Sequence, residues 1–406
     1  MSSICAPYRA EALSSFHGFI VEPAEVLDQT FITEEFMTAQ PLALQTTLQR
    51  EEPMDSDKPF IRVENLSKVF HLGGARRMFG LLPPTSGQKG FTAVDDVSFE
   101  VKRGQIFVIM GLSGSGKSTI IRMVNRLIDA SDGTITVDGK DVRSLAPAAL
   151  RDYRNRTINM VFQHFGLFPH KSLVDNVAFG LKVRGVDKEA REAKAAEALA
   201  IVGLGDRIHA LPDQLSGGMK QRVGLARALA TDAEILLMDE PFSALDPLIR
   251  KDMQELLIKL QQNFKKTIIF VTHDLNEAMY LGDKIMVMKQ GKNVQCGTAL
   301  DLLEAPADPY IEAFVTEVDR SRVLTAGMIA RRTARHGTAG QAVDLPASSL
   351  ARVPEGTIVH DLLPILAAGA DPVEVLDEQG AIIGKITAGD VFSALSPSKG
   401  NSNNAA

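Results

Sequence analysis

The nonapeptide Gly111–Thr119, GLSGSGKST, constrains this chain of 406 residues more than any other stretch. Gly111–Ser118 fits the phosphate-loop pattern G-x-x-x-x-G-K-[ST], and Thr119 comes directly after it. Ile106–Met110 ahead of it is apolar and of strand length, and Ser118–Leu127 behind it has a helical pattern without a breaker. Strand, glycine-rich turn and helix aim backbone N–H groups and a helix N-terminus at phosphate oxygens. Gly111, Leu112, Ser113, Gly114, Ser115, Gly116, Lys117, Ser118 and Thr119 are therefore expected to cradle a nucleotide. Gly114 and Gly116 would let the backbone approach without a Cβ clash. Lys117 is placed to reach the β- and γ-phosphates, and the Ser118 hydroxyl to ligate Mg²⁺. A phosphate loop alone defines a nucleotide binder and leaves the class open.

Composition removes several classes. Hydrophobic content of 45% and charged content of 23% are those of an ordinary globular chain, long enough for two or three domains. A net charge of −6 gives no reason to expect nucleic acid as a partner. Cys5 and Cys296 are the two cysteines, so a disulfide framework and a cysteine zinc cluster are both out of reach, and a reducing cytosol fits. No apolar run approaches the ~20 residues that span a bilayer, and the first twenty residues lack the build of a signal peptide. A membrane role would run from the cytoplasmic face, through a partner.

Along the chain, residues 1–57 read as a disordered extension: acidic residues such as Glu34, Glu35, Glu51 and Glu52 meet few bases, and no periodicity is sustained. Strand-like alternation starts at Ile61, so translation in the cell is expected to begin at or near Met54. Strands are expected at Ile61–Phe70, Val94–Val101, Gly133–Asp138, Thr157–Phe162, Ile235–Asp239, Thr267–Thr272, Lys284–Lys289 and Asn293–Cys296. Gly73, Gly74, Gly80, Pro83, Pro84, Gly87 and Gly90 mark His71–Phe91 as a long loop. Residues 165–230 read as a helical insertion, and Leu248–Phe264 as an amphipathic helix with Ile249, Met253, Leu256, Leu257, Leu260 and Phe264 on its core stripe. Strands alternating with helices point to a mostly parallel α/β sheet over residues 58–304. Ala305-Pro306 and Asp308-Pro309 open a linker or degenerate regulatory segment expected over 305–352. A small α/β unit is expected over 353–395, and a polar tail over 396–406.

Two further stretches carry chemistry. In Ile235–Glu240, ILLMDE, apolar residues drive a strand into the sheet and leave Asp239 at its carboxyl end, where such sheets place ligands. Asp239 can hold Mg²⁺, and Glu240 is placed to orient and deprotonate an attacking water. In Leu215–Met219, LSGGM, Ser216, Gly217 and Gly218 precede a helical run and offer a second anion-binding helix N-terminus. One nucleotide hardly needs two such sites from one chain, so the second is expected to serve a nucleotide held by a partner copy.

With these motifs in order, the sequence resembles the ATP-binding-cassette ATPases from about Ile61 to Leu303. The resemblance implies a RecA-like P-loop core with an antiparallel β subdomain, ATP and Mg²⁺ as cofactors, and ATP hydrolysis as the activity. It assigns Gln163 in MVFQHF to the loop that senses Mg²⁺ and the permease, and Ser243–Asp246 (SALD) to the loop that crosses the dimer interface. His273 in VTHD would be the switch histidine and Phe70 the adenine-stacking aromatic. IFVIMGLSGSGKST, Asn125–Ile128 (NRLI), LSGGMKQRVGLARALA, FSALDPLIR and VLTAGMIARR (Val323–Arg332) resemble the subfamily that imports glycine betaine, proline and related quaternary amines. Implied partners are a second cassette, integral-membrane permease subunits docking near Gln163–Asn176 and, indirectly, a periplasmic or lipid-tethered solute-binding protein. The implied location is the cytoplasmic face of the plasma membrane. An importer of the same build for histidine, a polyamine or methionine is the alternative. A non-transport cassette working on DNA or ribosomes is disfavoured by the single cassette and the acidic charge.

Only residues 354–395 resemble one of the paired cystathionine-β-synthase-type (CBS) repeats that end that subfamily. Gly384–Asp390 fits the repeat's G-x-x-T-x-x-D pattern, in which Thr387 and Asp390 would meet a nucleotide. Thr387 is equally a helix N-cap and Asp390 a first-turn acid, and a lone repeat favours a dimerising or permease-contacting remnant over a nucleotide sensor.

Overall fold

The computed structural model describes residues 58–71, 90–163, 166–316, 318–336, 350–377 and 379–396. The N-terminal extension, the expected start near Met54, most of the expected long loop, residues 164 and 165 of the expected docking stretch and the tail after residue 396 lie outside the described residues.

Two sheets build the region before residue 305. The first is antiparallel, in the order β2-β1-β4-β5, from β1 (Ile61–His71), β2 (Gly90–Val101), β4 (Asp132–Val137) and β5 (Lys140–Asp141). The second has the order β10-β9-β3-β8-β7-β6, from β3 (Ile106–Gly111), β6 (Ile158–Val161), β7 (Ile235–Asp239), β8 (Thr267–Thr272), β9 (Lys284–Lys289) and β10 (Lys292–Gly297). It is parallel except for the β9–β10 hairpin. Gln290 and Gly291, at φ 51 and 84, form the turn of that hairpin, both left-handed as such a two-residue turn demands, though only the glycine takes that conformation without cost.

Side-chain alternation along β3 divides the interior. Phe107 and Ile109 face the antiparallel sheet and helix α1 (Lys117–Val124), while Ile106, Val108 and Met110 face the helical side. That side holds α3 (Leu173–Val183), α4 (Lys188–Ile201), α5 (Gly217–Ala230), α6 (Pro247–Phe264) and α7 (Leu275–Leu281); α2 (Pro147–Asp152) leads into β6. Helix α6 starts where Asp246 accepts from the N–H of Ile249 and Pro247 fills the first position, and it ends at left-handed Lys265. Met253, Leu257 and Leu260 of its expected stripe are buried. Helix α1 is shorter than its pattern, because Arg126 takes φ 50 and turns the chain away.

The expected linker is a correction. Residues 305–336 carry α9 (Pro309–Thr316), α10 (Arg320–Val323) and α11 (Ala326–His336), after α8 (Ala299–Glu304). Ile311, Val315, Val323, Leu324, Ala326 and Ile329 are buried in the same core as α7 and α8. Pro309 opens α9 at the helical position that tolerates proline best, so a linker cue in the sequence is a helix start in the fold. Beyond it, β11 (Arg352–Pro354), β12 (Val373–Leu376) and β13 (Ile382–Ile386) form a small mixed sheet with α12 (Val359–Ala367) and α13 (Ala388–Leu395). Val353, Val359, Val373, Val375 and Val391 continue the same core without a break.

Candidate nucleotide-hydrolysis site

The phosphate loop leaves the carboxyl end of β3, which is buried at all six residues. Two glycines in it are obligatory for packing. A Cβ on Gly111 would stand 2.3 Å from the Met288 carbonyl oxygen, and one on Gly116 would stand 2.3 Å from that of Ala93. Gly116, at φ 100, is also the N-cap of α1, so the first N–H groups of that helix open into the loop. Inside the loop the Ser115 hydroxyl is buried and has no hydrogen-bond partner among the described residues. A buried hydroxyl without a partner, on the loop that opens α1, fits a site for an anion.

Lys117 is 4% exposed. Its Nζ donates to the carbonyls of Gly111 at 2.8 Å and Leu112 at 3.1 Å, and lies 3.7 Å from Glu240 Oε1. Burial holds its ammonium below the usual lysine range, against the opposing pull of Glu240 and Asp239. Ser118 Oγ donates to Asp239 Oδ1 at 2.7 Å, and Arg122 reaches Asp239 Oδ2 at 3.7 Å. A hydroxyl and a carboxylate beside the phosphate cradle are oxygen donors suited to Mg²⁺, which takes few protein ligands and completes its shell from phosphate and water. Among the described residues no cluster of three His, Cys, Asp or Glu side chains offers a dedicated cage.

Strands β7 and β8 are adjacent and parallel, so the residues just past their carboxyl ends emerge side by side. Glu240 takes φ 47, a left-handed conformation unusual for a glutamate, with its N–H donating to Val271 O at 3.0 Å. Its Oε2 lies 2.9 Å from His273 Nδ1. Ser243 Oγ donates to the Glu240 carbonyl at 3.0 Å, and Gln163 Nε2 donates to Ser243 Oγ at 3.2 Å. Gln163 is thus wired to Glu240 through Ser243, a link that residue types alone did not reveal.

The remaining expected residues fall in three places. Ser216, exposed, caps α5 by accepting from the Met219 N–H at 3.4 Å, with Gly217 exposed beside it. Gly218 is buried instead, where a Cβ would stand 2.3 Å from Ile249 Cγ2, and it also allows α5 to pack on α6. Asp246 is exposed at the start of α6. Phe70 pairs across the ladder with Phe91; both rings are exposed, and Lys68 Nζ stands 5.1 Å from the Phe70 ring centre. Thr387 and Asp390 lie in the C-terminal unit and satisfy one another. Thr387 Oγ1 donates to Asp390 Oδ2 at 2.7 Å and accepts from the Asp390 N–H at 3.2 Å, a complete capping box for α13.

A parallel sheet with a phosphate loop on one strand and a paired acid and histidine at the ends of the next two strands on one side defines a P-loop nucleotide hydrolase of cassette type. The family model described as ABC transporter matches residues 94–243. The glycine betaine transport ATP-binding protein OpuAA of Bacillus subtilis is 46% identical over 348 residues, 83% of this chain and 79% of that protein. The trimethylamine N-oxide transport system ATP-binding protein TmoW of Ruegeria pomeroyi is 41% identical over 332 residues, 80% of this chain and 96% of that protein. A solved dimer of the cassette MJ0796, in a post-hydrolysis state bound to ADP and Pi, has a TM-score of 0.51 and 31% identity, over 59% of this chain and 98% of that one. The chain belongs to the ABC transporter ATPases, and ATP hydrolysis is its activity.

Proposed function

We propose that this chain energises an importer of small quaternary amines, glycine betaine, choline or proline-type osmoprotectants. The observation that carries the solute class is the extent of the match to OpuAA. It covers 83% of the chain, more than a cassette of residues 58–304 can supply. The relation to TmoW, along 96% of that protein, favours trimethylamine N-oxide as a second reading within the same chemistry of methylated amines. Deleting the gene and measuring uptake of labelled glycine betaine, choline, proline, histidine and trimethylamine N-oxide side by side tests both. Loss of histidine uptake with the methylated amines unaffected would reject the proposal.

Two copies would close head to tail, Gly111–Thr119 of one facing Ser216–Gly218 of the other. The exposure of Ser216, Gly217 and Asp246 supports this, because a second chain can reach them there. Lys117 and the α1 N-terminus would neutralise phosphate charge, with Phe70 against the base. Mg²⁺, held by Ser118 and Asp239, would add further charge neutralisation when bound. Glu240 would take the proton of the attacking water, while His273 steadies the same carboxylate and Gln163 is linked to the Glu240 backbone through Ser243. Permease helices would dock in the groove lined by Phe162, Phe168, Phe179 and Arg227, next to Gln163. A solute-binding protein would act on the far side of the membrane. Among the described residues no helix is long and apolar enough to cross a bilayer, which is compatible with a peripheral place on the cytoplasmic face. The capping box of Thr387 with Asp390 supports a structural C-terminal remnant, not a nucleotide sensor.

A further inference from the structure

Two helical turns behind the site form a polar network that the catalytic assignments leave unused. Helix α6 presents Arg250 and Gln254, one turn apart, to the segment Thr272–Glu277 that carries His273. Arg250 Nη1 donates to Asp274 Oδ2 at 3.3 Å, and Gln254 Nε2 donates to Glu277 Oε1 at 3.1 Å. Glu277 is 5% exposed, and its other oxygen accepts from Thr272 Oγ1 at 2.5 Å. Thr272 Oγ1 in turn accepts from the Asp274 N–H at 3.0 Å. Asp274 Oδ1 caps α7 by accepting from the N–H groups of Asn276 at 2.9 Å and Glu277 at 3.2 Å. Both neighbours of His273, Thr272 and Asp274, are therefore fixed by a closed ring of hydrogen bonds.

The same guanidinium has a second attachment. Arg250 Nη2 donates to the Leu245 carbonyl at 3.2 Å, one residue before Asp246. Leu245 is buried while Asp246, the N-cap of α6, is exposed, so the loop has a buried root and a solvent-facing tip. A planar fork with separate N–H donors can hold two loops at once; an ammonium on a flexible stem cannot hold both in one geometry. The Arg250 backbone N–H also donates to the Asp246 carbonyl at 2.9 Å, so a polar route runs from Asp246 through Arg250 to Asp274, the neighbour of His273.

We infer that Arg250, with Gln254 and Glu277, is a positioning unit that ties the loop ending at Asp246 to the backbone of His273. It rests on the roles proposed above for His273 and Glu240. When a second copy engages Asp246, the displacement reaches His273 through Arg250 and sets its distance from Glu240. The histidine then completes the site only in the closed pair. Glu277 serves as a two-sided acceptor, so its geometry matters and its charge does not. A glutamine can reproduce that geometry, because its carbonyl accepts from Gln254 while its amide donates to Thr272, whose hydroxyl oxygen has a second lone pair.

The test measures steady-state ATP hydrolysis by the full chain, with the ATP dissociation constant measured separately by equilibrium binding. The variants are Arg250→Met, Arg250→Lys, Glu277→Leu, Glu277→Gln and His273→Ala, with Arg250→Met/His273→Ala as the double variant. Arg250→Met and Glu277→Leu should lower kcat by about tenfold or more with ATP affinity within about twofold, because misplacing one group by an ångström costs that much. Glu277→Gln should recover most of the rate and Arg250→Lys little of it. The double variant should be no slower than His273→Ala, since both act through one imidazole. An unchanged kcat in folded Arg250→Met protein, or losses that multiply in the double variant, would overturn the inference. If Glu277→Leu does not fold, Arg250→Met and the double variant still decide. A His273→Ala chain with normal kcat would instead reject the proposed role of His273.

Discussion

Glu240 Oε2 and His273 Nδ1 lie 2.9 Å apart although 33 residues separate them in sequence. Their strands are neighbours in register, so the two side chains meet as a consequence of the β7–β8 ladder and not of a local turn. Lys117 closes the third side at 3.7 Å from the same carboxylate. A buried lysine with a lowered pKa and an imidazole, each against the Glu240 carboxylate, form a site whose polar groups are already arranged before a nucleotide arrives.

Glu240→Gln is therefore expected to keep ATP affinity and to lower kcat by about 10²-fold or more, because the proton acceptor is lost while the cradle is intact. An ATP-dependent dimer should accumulate. Phosphate release and size-exclusion chromatography with ATP check the two halves separately, and hydrolysis at the normal rate would sink the assignment.

Ser216→Arg should abolish hydrolysis and leave ATP binding to the monomer unchanged. The serine is exposed on the α5 N-terminus, so the bulk and charge of arginine face a second copy, while within the chain the change removes an N-cap at a cost of about 1 kcal/mol. Fluorescent-nucleotide titration at concentrations too low for dimers is the measurement. Weakened binding there would place Ser216 in a site made by one chain.

Gly218→Ala should destabilise the fold by about 1–3 kcal/mol, the usual cost of overpacking. Its new methyl group would stand 2.3 Å from Ile249 Cγ2, on a branched side chain with little room to turn. Trimming the neighbour with Ile249→Ala in the same chain should restore part of the loss. Chemical denaturation of the single and double variants reads this directly, and an additive loss would contradict the packing explanation.

Glu277 gives a pH dependence. Burial raises its pKa above the ordinary 4.5, against the hydrogen bonds from Thr272 and Gln254. The folded chain thus keeps this proton to higher pH than the unfolded chain, so the stability it contributes is full below 4.5 and is lost as pH rises through the raised value. Glu277→Gln cannot lose that proton. Its melting temperature relative to the parent should therefore climb as pH rises from about 4.5 toward neutrality. A constant difference across that range would show that Glu277 ionises without penalty.

Much of the fold was legible because short apolar runs bounded by polar residues have few alternatives inside an α/β sheet. Ile235–Asp239, Thr267–Thr272 and Lys284–Lys289 are strands with the expected bounds. The error at residues 305–336 came from proline, which marks either a chain break or a helix start; only the helical residues downstream of Pro309 tell the two apart. Helix α9 is short, and its burial depends on the core beneath it more than on its own periodicity. At the site, Lys117, Asp239, Glu240 and His273 could be named from motifs, and the structure brings them together. Ser243 between Gln163 and Glu240, and Arg250 between Leu245 and Asp274, had no signature. Each is a common residue whose role exists only once distant loops are folded side by side.

The interior that runs from Leu302 through Val315 and Val323 to Val359 and Val391 has a practical consequence for anyone shortening this chain. A fragment ending after Glu304 would uncover an oily face previously sealed by α9, α10 and α11. Such a stump would aggregate before it could report on regulation, and a failed complementation assay with it would reflect lost solubility. Useful deletions must either begin beyond the last buried residue of α13, Ala394, or replace the exposed face with polar side chains.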